Sequence, residues 1–152
     1  MNYKRFIARL DIKSNALVKG IHLEGLRTLG NPSAFAKYYY DNGIDELVYM
    51  DVVASLYQRN SLVDVVKEVS KEIFIPLSVG GGIRSESDVN ELLRAGADKV
   101  IINTASVNDP SLINRLVKKF GSSTIVIAVE VIRNAENFGV FVDNGRENTG
   151  LE

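Results

Sequence analysis

The stretch Leu77-Ser78-Val79-Gly80-Gly81-Gly82-Ile83-Arg84 is an apolar strand that runs into three glycines and then opens a helix. Ser85 and Asp88 supply the Ser-x-x-Asp capping pattern that marks a helix N-terminus. Glycines at such a junction let the backbone approach a ligand closely, and free N–H groups there favour a phosphate. The next predicted strand, Asp98 to Ile102, ends in Asn103-Thr104-Ala105, which add amide and hydroxyl groups. The two strand ends therefore predict one phosphate held between them.

The composition is that of an ordinary globular chain, and its 152 residues predict a single domain over 1–152. A net charge of −1 gives no electrostatic reason to bind nucleic acid or an anionic membrane, and no apolar run approaches membrane-spanning length. Cysteine is absent, which excludes disulfides, thiolate metal sites and a cysteine nucleophile and fits a cytoplasmic location. The single histidine, His22, cannot build a histidine-rich metal site and is interpreted as an ordinary loop or surface residue. We therefore expect no metal and no cofactor.

Strands and helices alternate along the chain. The predicted strands are Phe6–Ile12, Glu46–Val52, Ile75–Val79, Lys99–Asn103 and Thr124–Val131. Helices are predicted from Asn31-Pro32 to Gly43, from Leu62 to Ile73, from Ser85 to Ala95 and from Asp109-Pro110 to Gly121. Lys13–Gly30 is interpreted as a long loop and Phe138–Val142 as one arm of a surface hairpin. The alternation predicts a parallel sheet with helices outside it.

An internal repeat favours a barrel of like units, because Gly43-Ile44-Asp45-Glu46-Leu47-Val48 matches Gly96-Ala97-Asp98-Lys99-Val100-Ile101 in type. A doubly wound nucleotide-binding sheet would carry its glycines after the first strand, where Lys13-Ser14-Asn15 stand. A closed eight-stranded barrel takes about 200 residues or more. The predicted fold class is therefore α/β, a partial (βα)8 TIM barrel of about four βα units plus a fifth strand and a short hairpin.

Such a partial barrel is either a fragment or a module that completes itself by pairing. Its open edges and apolar faces predict that the 152-residue chain self-associates. The final Leu151-Glu152 fits either native sequence or a remnant of a cloning site.

Strand alternation places charged side chains inside the predicted barrel at both of its ends. Arg5, Glu46 and Lys99 fall at the amino ends of their strands, where they form either a structural ring of salt bridges or a gated opening. Asp11 and Glu130 fall at the opposite end, where barrel enzymes keep their chemistry. Two carboxylates across one cavity predict a general acid–base pair, and the alternative is that nearby cations such as Arg9 simply hold them.

The chain resembles the cyclase subunit of imidazole glycerol phosphate synthase, the (βα)8 barrel of histidine biosynthesis. The resemblance covers essentially the whole chain and aligns it with the first three fifths of that barrel. It rests on several motifs taken together: Leu10-Asp11-Ile12-Lys13, Val18-Lys19-Gly20, Asp45-Glu46-Leu47, Val79-Gly80-Gly81-Gly82-Ile83-Arg84, Gly96-Ala97-Asp98-Lys99-Val100 and Ile102-Asn103-Thr104-Ala105.

The resemblance implies a lyase of amino-acid biosynthesis that forms a heterodimer with a glutaminase subunit. In that family the glutaminase supplies ammonia, which travels through the barrel to a phosphorylated substrate, a ribulosyl-aminoimidazole nucleotide. The nucleotide is split and cyclised to imidazole glycerol phosphate and an aminoimidazole carboxamide ribonucleotide.

Roles carried over by position are implied in the same way. Asp11 matches the acid–base aspartate of the first strand, and Lys19 matches the loop lysine that helps to hold the substrate. Six more residues match positions at two other sites of the family. The family's phosphate site is matched by Gly82, Asn103 and Thr104, and its ammonia gate by Arg5, Glu46 and Lys99. The family's fourth gate residue, second phosphate site and second catalytic aspartate match no position up to Glu152, so the 152-residue chain alone is expected to be inactive.

Three positions depart from the family pattern. Glu130 stands where the family usually has Asp, Arg9 where it has a small residue, and Ser14-Asn15-Ala16 where it has Asp-Gly-Arg. Because an arginine inside a barrel needs a partner, we expect Arg9 to pair with Glu130 across the cavity. The departures resemble cyclase-like proteins of surface-polysaccharide biosynthesis, which implies an ammonia conduit for sugar amidation as an alternative. A non-catalytic half-barrel assembly module is a third interpretation.

Overall fold

The computed structural model describes residues 3–21, 25–54, 62–134, 137–143 and 145–152. His22 lies outside the described residues. The chain begins with β1 (Ile7–Lys13), β2 (Ala16–Ile21), β3 (Gly25–Gly30) and α1 (Pro32–Asp41). It continues with β4 (Glu46–Asp51), α2 (Leu62–Val69), β5 (Leu77–Gly80), α3 (Glu86–Ala95), β6 (Lys99–Ile102), α4 (Thr104–Asn108), α5 (Ser111–Phe120) and β7 (Ile125–Ile127). The last elements are β8 (Glu130–Asn134), β9 (Asn137–Val142) and β10 (Glu147–Asn148).

The main sheet of the described residues has seven strands in the order β3-β2-β1-β4-β5-β6-β7. Strands β1, β4, β5, β6 and β7 run parallel, with Ile7 opposite Glu46, Leu47 opposite Leu77 and Val100 opposite Ile125. The two edges, β3 and β7, are not paired with each other among these residues, so the sheet is not closed. The parallel order with intervening helices confirms the prediction of a partial (βα)8 barrel.

The core lies between the parallel strands and the helices on one face of the sheet. Alternate residues of β1 and β4 point into it, and Ile12, Leu47 and Tyr49 are fully buried there. The Tyr49 hydroxyl donates a hydrogen bond to the Pro32 carbonyl oxygen over 3.0 Å, which ties β4 to the start of α1. Burial raises the pKa of the Tyr49 phenol above its ordinary value, and the nearby Glu68 carboxylate raises it further.

The opposite face of β1 carries Ile7, Arg9 and Asp11, as strand alternation predicts for the inside of a barrel. Ile7 remains 50% exposed on this face. The inward face of β1 is therefore accessible where a closed barrel would bury it.

Local signals fix the ends of two helices as expected. The Asn31 side chain accepts hydrogen bonds from the backbone N–H groups of Ser33 and Ala34, and Pro32 occupies the first helical position of α1. Ser85 and Asp88 form a reciprocal capping box at the start of α3, and Gly96 ends that helix in the left-handed conformation.

Two element predictions are wrong. The predicted loop Lys13–Gly30 contains β2 and β3, which extend the sheet beside β1 in antiparallel register. The predicted fifth strand Thr124–Val131 is two strands: β7 ends at Ile127, and β8 begins at Glu130 in a separate antiparallel sheet of order β10-β9-β8. Glu130 therefore belongs to the second sheet, because the backbone leaves the parallel sheet after Ile127. The predicted hairpin arm Phe138–Val142 is confirmed as most of β9, which pairs with β8.

Candidate functional site

A cavity of about 490 Å³ opens where β4, β5 and β6 end, beside the start of the second sheet. Four of the residues singled out from the sequence line it, namely Gly82, Asn103, Thr104 and Glu130. Arg9 lines it as well. The carboxyl ends of parallel strands are where β/α barrels bind their ligands. The sequence-based grouping of these residues therefore corresponds to one concave site.

The glycine turn after β5 forms one wall of the cavity. Gly81 and Gly82 have φ angles of +107° and +70°, in the left-handed region that favours glycine. A Cβ on Gly81 would lie 2.4 Å from the Asp51 carbonyl oxygen, so close packing against the end of β4 requires the glycine. The backbone N–H groups of Arg84 and Ser85 both donate to Asp88 Oδ2 over 2.9 Å. The capping carboxylate thus occupies the two backbone donors nearest the helix.

Asn103 and Thr104, at the end of β6, form the adjacent wall. The Asn103 side-chain amide donates to the Ala128 carbonyl oxygen over 3.0 Å, which fixes the orientation of its Oδ1. The Thr104 hydroxyl lies 3.2 Å from Asn103 Oδ1 and 3.4 Å from Asp143 Oδ1. The Asp143 N–H in turn donates to the Thr104 hydroxyl over 3.3 Å. Thr104 is therefore linked to the residue that follows β9, 39 positions along the chain.

The two predicted acid–base carboxylates, Asp11 and Glu130, bind different partners. Arg9 Nε donates to Asp11 Oδ1 over 2.7 Å, and Glu130 Oε2 accepts from the Gly145 N–H over 2.9 Å. Arg9 and Asp11 are two residues apart on one face of β1, so the guanidinium reaches its own strand neighbour. The predicted pair of Arg9 with Glu130 is wrong, because Arg9 pairs with Asp11 and Glu130 is held by a backbone donor. The alternative that cations hold both carboxylates is met only at Asp11, because Glu130 accepts from a backbone N–H.

Asp11 and Lys19 stand outside the lining of this cavity. Asp11 is half-buried and touches the cavity wall through its partner Arg9. Lys19 is exposed on β2, opposite Arg27 of β3. The structure therefore does not bring Lys19 together with the other predicted ligand-binding residues.

At the other end of the strands, Arg5, Glu46 and Lys99 come together. Arg5 and Glu46 form an ion pair, and Lys99 Nζ lies 3.7 Å from Glu46 Oε2. Glu46 is buried, with a relative exposure of 4%, whereas the Arg5 side chain is largely solvated. The prediction that these charges pair with one another is confirmed.

Asp51, Arg84 and Asp143 also line the cavity and were missed as site residues. Asp51 is buried, and its Oδ1 accepts a hydrogen bond from the Val53 N–H over 3.0 Å. Arg84 donates from Nη2 to the Ala54 carbonyl oxygen over 3.2 Å. A polar residue at the carboxyl end of a barrel strand is a recognised signal, and it would have found Asp51. Asp143 has no comparable local signal.

The described residues contain no cluster of three or more histidine, cysteine or acidic side chains placed to hold a metal ion. Every helix in that part of the chain is too short or too polar to cross a membrane.

The fold and the cavity together define a β/α-barrel protein with a polar site at the carboxyl ends of its strands. The family model described as "Histidine biosynthesis protein" matches residues 5–152, and the chain belongs to this family.

Among its relatives, the imidazole glycerol phosphate synthase subunit HisF of Legionella pneumophila is 53% identical over 153 residues, which cover 100% of this chain and 72% of that protein. The HisF subunits of Dehalococcoides mccartyi and Alkaliphilus metalliredigens are 48% and 47% identical. This chain spans 59% and 60% of their respective lengths.

Proposed function

We propose that this chain forms the leading part of the cyclase subunit of an imidazole glycerol phosphate synthase. The observation that carries the proposal is the meeting of Gly82, Asn103 and Thr104 with Glu130 in one cavity. Similarity to HisF subunits over nearly the whole chain supports the same assignment.

The glycine turn and the end of β6 are proposed to bind a phosphate group of the substrate. The turn can present backbone N–H groups at close range because its glycines carry no side chain, and Thr104 and Asn103 add polar side chains opposite it. Arg84 brings a positive charge to the same cavity. These groups suit a dianion better than a neutral ligand.

Asp11 is proposed as a general acid–base and Glu130 as a second carboxylate of the reaction. Cyclisation of a nucleotide with ammonia requires proton transfers, which positioned carboxylates accelerate by about 10²–10⁴-fold. The bond from the Gly145 N–H fixes one oxygen of Glu130, and its other oxygen is the one that remains for a proton or a substrate. Lys19, exposed on β2, is proposed to reach the substrate from the neighbouring strand.

The Arg5–Glu46–Lys99 cluster is proposed as a gate for ammonia at the amino ends of the strands. Glu46 holds two cations at the edge of the inward face, so movement of either long side chain would open a path along that face. The ammonia would come from a glutaminase partner that docks at this end. Without the second half of the site, the 152-residue chain by itself is proposed to be inactive.

The test uses the chain extended to a complete barrel, with an ammonium salt in place of the glutaminase. Formation of imidazole glycerol phosphate that is lost in Asp11→Asn supports the cyclase assignment. A matched variant, Asp64→Asn, removes a carboxylate whose side chain is 95% exposed on α2 and is expected to keep the activity. A folded protein that binds the nucleotide but does not turn it over would contradict the proposal.

A second candidate, an ammonia conduit for sugar amidation, is favoured by one contact. The Arg9 guanidinium occupies Oδ1 of Asp11, and an engaged carboxylate is a poorer proton shuttle. A conduit needs the charged cluster at the amino ends but not an active Asp11. In that case glutamine-dependent amidation of a sugar would survive Asp11→Asn and fail when the cluster is disrupted by Glu46→Gln.

A further inference from the structure

Two cavity residues, Thr104 and Glu130, are held by the same short segment between β9 and β10. Thr104 is bound by the backbone and the side chain of Asp143, and Glu130 is bound by the N–H of Gly145. Asp143 and Gly145 lie between β9 and β10. The second sheet therefore engages one predicted phosphate ligand and one predicted catalytic carboxylate at once.

The Thr104 hydroxyl has a single proton to donate. It accepts a hydrogen bond from the Asp143 N–H, and its own proton is shared between Asn103 Oδ1 and Asp143 Oδ1. A phosphate oxygen that accepts from this hydroxyl would have to take the same proton. Asp143 Oδ1 and a bound phosphate therefore compete for one donor.

The charge of Asp143 adds to this competition. Its carboxylate lies 3.4 Å from the Thr104 hydroxyl, so a phosphate on Thr104 would place two anions within a few ångströms of each other. Asp143 is half-buried and lines the cavity, where solvent screens such repulsion less than at an open surface. The repulsion weakens phosphate binding as long as Asp143 keeps this position.

The backbone of Asp143 is itself unusual. Its φ angle is +51°, a left-handed conformation that costs a non-glycine residue energy unless its contacts maintain it. The N–H donated to Thr104 is one of those contacts. Aspartate and asparagine tolerate this conformation better than other side chains, so an asparagine can replace the aspartate without new strain.

We propose that Asp143 is an internal anion that occupies the phosphate position on Thr104 and sets how tightly the cavity takes a phosphate. The inference rests on the proposed phosphate site and adds to it a residue that determines affinity. A phosphorylated ligand displaces the Asp143 carboxylate from Thr104. The contact between Asp143 and Thr104 is therefore made in the empty site and broken in the occupied one.

Calorimetric titration of the 152-residue chain with inorganic phosphate tests this. The variant Asp143→Asn keeps the shape and the left-handed tolerance but removes the charge, and it is expected to bind phosphate about tenfold more tightly. The control Asp64→Asn removes the same charge from the exposed face of α2 and is expected to stay within about twofold of the unmodified chain. Amide resonances of Gly82 and Thr104 locate the bound phosphate.

Each outcome decides one point. Equal phosphate affinity in Asp143→Asn and Asp64→Asn, with Gly82 and Thr104 shifting in both, overturns the competition but leaves the phosphate site intact. Absence of a saturable shift at Gly82 and Thr104 in every variant overturns the phosphate site and the competition together. If Asp143→Asn fails to fold, Asp143→Gly gives a second measurement, since glycine adopts the left-handed φ without strain and also removes the charge. Equal phosphate affinity of Asp143→Gly and the unmodified chain would then overturn the competition.

Discussion

The guanidinium of Arg9 donates from Nε to Oδ1 of Asp11 over 2.7 Å, and both side chains project from the same face of β1. Arg9 lines the cavity, so the pair links the proposed acid–base residue to the proposed ligand site. The pair is substantially solvent-exposed, and its contribution to stability is expected to be small, about 0–1 kcal/mol. Its importance is expected in catalysis, because it decides whether Asp11 is free to move a proton.

Replacing Arg9 tests that relationship. In the chain extended to a complete barrel, Arg9→Ala is expected to raise the rate of ammonium-dependent cyclisation by about tenfold, because it releases Asp11 for proton transfer. Arg94→Ala, which removes an exposed arginine from α3, is the matched control and is expected to change little. A fall in rate with Arg9→Ala alone would show that the guanidinium assists the reaction and does not restrain Asp11.

Glu46 is expected to matter for stability more than either of its partners. Glu46→Gln leaves Arg5 and Lys99 close to a buried neutral group and is expected to cost about 1–3 kcal/mol of unfolding free energy in urea. Arg5→Gln is expected to cost less than about 1 kcal/mol, because the Arg5 side chain is already largely solvated. Equal costs for the two variants would mean that burial of Glu46 does not set the energy of the cluster.

The buried Tyr49 phenol is expected to lower the free energy of unfolding at alkaline pH. Burial raises the pKa of its phenol, so the folded chain keeps the proton while the unfolded chain loses it near the ordinary value of 10.0. Its contribution is therefore fully present below pH 10 and declines as the pH rises from there towards the folded pKa. Tyr49→Phe is expected to cost about 1–2 kcal/mol at pH 7, through the lost bond to Pro32, and to flatten the decline above pH 10. Parallel curves for the two proteins from pH 8 to 11 would contradict this account.

Gly81 tests the packing of the cavity wall. Gly81→Ala places a Cβ 2.4 Å from the Asp51 carbonyl oxygen at a φ of +107°, and is expected to cost about 2–4 kcal/mol. Gly43→Ala is the control, since Gly43 has a φ of +82° with nothing within 4 Å, and is expected to cost about 1–2 kcal/mol. Thermal unfolding of both variants measures the difference. Equal losses would place the whole effect in the backbone angle and none in the contact with Asp51.

The sequence predicted the parallel part of the fold well because its signals are local. The capping box of Ser85 and Asp88, the Asn31-Pro32 helix start and the alternation along β1 each depend on a few neighbouring residues. Hairpin β2–β3 was missed because β3 is mostly exposed and lacks the alternating apolar pattern of a half-buried strand. The division after Ile127 was missed because the apolar run around it contains no glycine or proline to mark a break.

The part of the site that lies at the ends of the parallel strands was predicted from the sequence. Gly82, Asn103 and Thr104 follow directly after β5 and β6, so the order of the sheet alone brings them together. The partner of Arg9 was wrong because Glu130 left the parallel sheet, and no local signal marks that departure. The contact between Thr104 and Asp143 spans 39 residues and depends on how the second sheet packs against the first. Such a contact follows from tertiary structure and not from any periodicity.

Titration of the chain with imidazole glycerol phosphate, followed by amide chemical shifts, tests the phosphate site most directly. Saturable shifts at Gly82 and Thr104, with the amides of Arg5 and Lys99 unchanged, are the predicted result, because the phosphate is expected at the carboxyl ends of β5 and β6. Shifts confined to the amino ends of the strands, or no saturable shift at Gly82 and Thr104, would contradict the assignment of this cavity as a phosphate site.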